Sequence, residues 1–92
     1  MQILFTKVVH FTRLIKAGGR LREFNIRKMK LVDKDVFSVD TVDDRGNRII
    51  FRMQKEASGQ WVIVPLDQIL PAWINEVETK LREQIENELH QN

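Results

Sequence analysis

The sequence predicts an α+β domain: a curved antiparallel sheet of four to five strands followed by one long C-terminal amphipathic helix. Three observations carry that expectation. Residues 36–42 and 48–54 alternate apolar and polar side chains on either side of Asp43-Asp44-Arg45-Gly46-Asn47, the pattern of a hairpin. From Ile69 onward, apolar residues recur every three or four positions through Leu70, Trp73, Ile74, Val77, Leu81, Ile85 and Leu89, the period of a helix with one buried stripe. The 92 residues are 42% hydrophobic and 30% charged. That balance fits a folded chain with one modest core, and a single domain over 1–92 is expected.

Residues 1–16 read as a strand, because Ile3, Thr6, Val8, Val9, Thr12 and Ile15 are β-branched and no N-cap residue precedes them. Ala17-Gly18-Gly19 then turns the chain into the next strand. The same stretch also places Leu4, Val8, Phe11 and Ile15 at helical spacing, with Gly18 as C-cap. That alternative adds an N-terminal helix and gives a cystatin-like arrangement, a sheet wrapped on a helix around a small-ligand pocket.

Residues 20–31 form the next expected strand. Phe24 and Ile26 share one face, and Met29 and Leu31 take the other unless a bulge falls near Arg27-Lys28. Asp33-Lys34-Asp35 is the following turn. In the central hairpin, Phe37, Val39, Thr41, Ile49, Phe51 and Met53 point one way, which leaves Ile50 apolar on the wet face. Ala57-Ser58-Gly59 turns the chain into residues 60–64. These are apolar on both faces, which predicts a central strand or one covered by a second subunit.

The helix starts either at an Asp67 cap or near Leu70, with Pro71 in its first turn, and runs to about His90. Glu76–Lys80 and Glu78–Arg82 are i,i+4 pairs in the favourable order. A helix of ~20 residues is about 30 Å long, more than a small sheet needs, so its far end is expected to seek a partner.

Several function classes drop out. With no Cys there is no disulfide framework, thiolate metal site or Cys nucleophile. Apolar runs as short as Trp61-Val62-Ile63-Val64 cannot span a bilayer. The opening Met1-Gln2-Ile3-Leu4-Phe5 carries no charged n-region, so a cytoplasmic location is expected. His10 and His90 lie at opposite ends of the chain, and Ser38 and Ser58 have no base specified beside them. Asp33, Asp35, Asp40, Asp43 and Asp44 lack calcium-loop spacing and read as solvated turn acids. Ala17-Gly18-Gly19-Arg20 matches neither nucleotide-binding glycine pattern. The expectation is a non-enzymatic domain without cofactor, metal or membrane partner.

Charge points instead to binding. The net charge is only +2, but residues 1–30 carry a net +7 and residues 67–92 a net −4. A basic sheet face can track phosphates while exposed rings stack on bases. The candidate nucleic-acid contacts are Lys16, Arg20, Arg22, Arg27, Lys28 and Lys30, with Arg48 and Arg52 on the exposed face of a neighbouring strand. Once Phe37, Phe51 and Trp73 go to the core, Phe5, Phe11, Phe24 and Trp61 are the rings left for stacking, although burial is the favoured reading for each. A protein-interaction module is the competing reading. In it, Trp61, Ile63, Trp73, Val77, Leu81 and Ile85 form a homodimer interface.

The order of a basic hairpin (residues 11–26, with Lys16-Ala17-Gly18-Gly19-Arg20 at its turn), two more strands and a terminal helix resembles the single-repeat bacterial members of the purine-rich-element-binding family. Those proteins are in turn similar to Whirly-type single-strand binders. The resemblance implies a four-stranded curved sheet with a C-terminal helix, single-stranded DNA or RNA on the sheet, and dimerisation through the helices. By position, Lys16, Arg20 and Arg22 would touch phosphate. Tyr is absent, and Arg27-Lys28-Met29-Lys30 stands where the family has a basic-Asn-x-Arg signature.

Overall fold

Five antiparallel strands and one C-terminal helical segment make up the fold in a computed structural model that describes residues 9–31 and 34–90, with the backbone alone at 30, 31 and 34. The strands are β1 (His10–Ala17), β2 (Arg20–Leu31), β3 (Lys34–Val42), β4 (Arg48–Lys55) and β5 (Trp61–Pro65), in the spatial order β1-β2-β3-β4-β5. Each strand therefore pairs with its neighbours in sequence, as short turns dictate. A 3-10 helix, Ala72–Val77, leads directly into α1 (Glu78–Leu89).

The turns follow from local chemistry. Gly18 and Gly19 both adopt positive φ, 60° and 78°, which a two-residue hairpin turn requires and which L side chains resist. In the 43–47 turn, Asp43 Oδ1 accepts the backbone N–H groups of Arg45 (2.9 Å) and Asn47 (2.8 Å). Those donors, Asn47 first, hold the Asp43 carboxyl below its usual value.

Alternation divides the sheet into two faces. Phe11, Ile15, Phe24, Ile26, Phe37, Val39, Phe51, Met53 and Trp61 pack against Ile74, Val77, Leu81 and Ile85 of the helical segment. Each fully buried side chain of this kind is worth roughly 1.5–3 kcal/mol. Phe37 sits edge-on to Trp61, with centroids 5.2 Å apart. The opposite, outer face of the sheet is not covered by the helical segment.

The helix reaches both edges of the sheet. On one flank, Ile63 N–H donates to Glu78 Oε2 (2.9 Å), Arg82 Nε donates to the Trp61 carbonyl (2.9 Å), and the Trp61 indole donates to Glu86 Oε1 (2.7 Å). On the other, Arg13 of β1 donates to Gln84 Oε1 (2.8 Å) and Glu88 Oε2 (3.2 Å). Since β1 and β5 are opposite edges, the sheet must curl around the helix.

Four expectations need correction. Residues 61–65 form an edge strand, not a central one. Its second apolar face, Val62 and Val64, is half-buried beside Gln54 and Arg52 of β4, while the helix supplies the missing edge partners. Lys34 and Asp35 belong to β3 rather than to a turn; Asp33 lies outside the described residues. The helical segment begins at Ala72, two residues past the Leu70 alternative and not at an Asp67 cap. Pro71, at φ −58° and ψ 149°, is its N-cap, which leaves Ile69 fully exposed ahead of it. Lys80 pairs with Glu83 (3.9 Å), because Glu76 instead accepts Gly18 N–H (3.4 Å); the Glu78–Arg82 pair forms at 3.7 Å.

Other expectations match. Both strands of the central hairpin and its buried face are as read from the sequence. The β2–β3 register runs unbroken from Asn25↔Asp40 to Leu31↔Lys34. No bulge intervenes, so Met29 turns to the outer face. Residues 10–17 are strand, which removes the N-terminal-helix alternative there; residues 1–8 lie outside the described region.

Candidate nucleic-acid interface

The eight basic candidates do not share one face. Register puts Lys16, Arg27, Arg48 and Arg52 on the outer face, opposite Leu21, Ser38, Val42 and Ser38 respectively. Arg20, Arg22 and Lys28 take the helix side of β2, and Lys30 is placed only by its backbone pairing with Asp35.

Arg22 is the outlier. It is 5% exposed, its guanidinium lies 3.8 Å over the Trp73 ring, and its Nε donates to the Ala17 carbonyl at 2.8 Å. Nη1 pairs with Asp44 Oδ1 at 3.0 Å, and Arg20 reaches the same oxygen at 3.2 Å. Nη2 is buried without a hydrogen-bond partner. This arginine is a core residue, held by a desolvated cation–π stack rather than presented to solvent.

The outer face is organised in rows running across the strands. In one, Thr12 Oγ1 donates to Asn25 Oδ1 (2.8 Å), Asn25 Nδ2 to Asp40 Oδ1 (3.0 Å), and Arg48 Nη2 to Asp40 Oδ2 (3.4 Å). That row satisfies its own polar groups and occupies Arg48. The adjacent row is His10, Arg27, Ser38, Arg52 and Val64, each directly opposite the next. Neither Arg27 nor Arg52 makes an ion pair among the described residues. They flank the Ser38 hydroxyl from the two neighbouring strands, each ~5 Å away in the pairing direction. On the far side lies a less polar row of Met29, Val36, Gln54 and Val62.

Sequence reasoning found Arg27 and Arg52 but missed His10 and Ser38 as their row-mates. Strand parity gives each residue's face within its own strand, and the pairing register is what brings the four into one row. The rings lie where burial is the favoured reading. Phe11, Phe24 and Trp61 are buried in the core, and Phe5 is outside the described residues. The expected interface set is core as well. Trp61, Val77, Leu81 and Ile85 are fully buried within the chain, because the sheet itself covers the helix stripe, while Ile63 and Trp73 are half-buried against it.

Among the described residues, no helix is long and apolar enough to cross a membrane. Comparison with protein-family models, with curated proteins and with solved structures finds no match for this chain.

Proposed function

We propose that this chain is a small non-enzymatic binding domain that holds the phosphate backbone of single-stranded DNA or RNA on the outer face of its sheet. The observation that carries the reading is the Arg27–Ser38–Arg52 row: two cations without ion-pair partners among the described residues bracket a hydroxyl on a face the helical segment leaves open. Guanidinium groups and a hydroxyl are phosphate-binding groups. A single strand fits this surface better than a duplex. The sheet is broad, and α1 lies on the other side, so no helix is positioned to enter a groove. With Phe11, Phe24, Phe37, Phe51 and Trp61 buried and Trp73 half-buried against Arg22, affinity comes from charge, with little base stacking and little sequence preference.

Binding of a fluorescent oligothymidylate, titrated against salt, tests this. Arg27→Glu with Arg52→Glu should abolish binding. Neutralising each arginine singly should lower the log–log salt slope by about 0.7. The same reversal at Arg20 and Lys28, on the helix side, should have a clearly smaller effect. Wild-type protein that ignores the oligomer at low salt, or equal effects from both faces, would refute the assignment.

A further inference from the structure

The two edges of the sheet are treated differently. At the β5 side, the outward backbone groups are closed by side chains: Glu78 takes Ile63 N–H and Arg82 serves the Trp61 carbonyl. Past the end of β5, the Gln68 amide takes over the pairing role. It accepts from Ile50 N–H at 2.9 Å and donates to the Arg48 carbonyl at 3.0 Å. Pro65 closes the strand itself. These are the devices by which natural sheets protect an edge.

At β1, by contrast, the described residues leave the edge open. Ala17↔Arg20 closes the hairpin, so residues 11, 13, 15 and 17 bond to β2, and the backbone groups of Thr12, Leu14 and Lys16 point away from it. Among the described residues, the only bond to these outward groups is from Arg13 Nη1 to the Thr12 carbonyl, 2.9 Å. At the middle of this edge, Leu14 is 65% exposed, diagonal to Leu21 at 64%.

We infer that this edge pairs with a second copy of itself, two β1 strands running antiparallel about a two-fold axis at Leu14. The strand is suited to that register. Leu14 meets Leu14 of the second copy, Thr12 meets Lys16, and Arg13 meets Ile15, so no like charges stand directly opposite. The contact is isologous, closes on itself, and extends two five-stranded sheets into one of ten strands. It differs from the helix-mediated dimer expected from the sequence, whose residues are occupied within the chain. The inference does not depend on nucleic-acid binding.

Sedimentation equilibrium of the full chain tests it, run from micromolar to millimolar protein. The mass should rise to twice 10.9 kDa, and Leu14→Lys, which opposes two like charges at the axis, should return it to the monomer value with unchanged circular dichroism. Ile69→Lys, at a fully exposed apolar site elsewhere, should leave the dimer intact. Hydrogen exchange supplies a second reading on unmutated protein: the Leu14 and Lys16 amides should become protected as concentration rises. A wild-type monomer throughout, a Leu14→Lys dimer as tight as wild type, or concentration-independent exchange at those amides would each overturn the proposal.

Discussion

Gly18 and Gly19 sit side by side in one turn, yet substituting them should have very different consequences. Both occupy the left-handed region, where an L side chain costs about 1–2 kcal/mol. At Gly19 a Cβ would meet no atom within 4 Å, so Gly19→Ala should cost that backbone term alone. At Gly18 the new Cβ would stand 2.9 Å from Arg22 Nη2 and 3.0 Å from Cδ1 and Cγ of Trp73. Neither neighbour is free to give way. Arg22 is tethered by Ala17 and Asp44, and Trp73 is wedged edge-on against Phe24 at 6.5 Å. Displacing the guanidinium forfeits a desolvated stack worth about 2 kcal/mol. Gly18→Ala should therefore cost about 3–4 kcal/mol. A domain of this size has on the order of 5–10 kcal/mol in total. Urea denaturation followed by circular dichroism measures both variants, and their difference isolates the packing contribution at about 2 kcal/mol. Equal destabilisation of the two, within ~0.5 kcal/mol, would show that the Arg22–Trp73 stack does not press against the turn.

Two further outcomes are expected. Asp43 is stabilised in its charged form by turn amides, so its folded pKa lies below its unfolded one. Its contribution is thus present above the ordinary carboxylate pKa of ~3.9 and is lost as the pH falls through the lowered value. Asp43→Ala should be less stable than wild type at neutral pH, and the gap should close in strong acid; a gap independent of pH would contradict this. Trp61→Phe removes the indole donor to Glu86 and part of a buried ring. It should cost about 1–3 kcal/mol in the same urea assay, and a loss under ~0.5 kcal/mol would mean the bond across the β5 flank contributes little.

Local pattern carried most of the fold. Phe37-x-Val39-x-Thr41 and Ile49-x-Phe51-x-Met53 could only be the two strands of one half-buried hairpin, and the 43–47 loop left no other turn. What failed depended on distant residues. Whether Trp61–Pro65 is an edge or a central strand is decided by Glu78 and Arg82, side chains from another element, and alternation within the strand is blind to them. Ile69 fits the helical spacing, but the backbone at Pro71 starts the helix after it. Arg22 was readable and misread. It lies at period two with Phe24 and Ile26, so parity already placed it among apolar neighbours, and only its charge argued for solvent. The outer-face row was half legible, because residue type singled out the arginines while register was needed to add His10 and Ser38.

The strand order has a kinetic consequence. Every strand pairs with its chain neighbour, so hairpins can form with little loop entropy to overcome. The helix differs, because its bonds to Arg13 close a span of 71 residues or more. Those bonds exist only once the sheet has curled. Docking of α1 is then the late event, and weakening it should leave the folding rate nearly untouched while the unfolding rate rises. In this reading α1 works as a latch, setting how long the folded chain lasts rather than how quickly it forms.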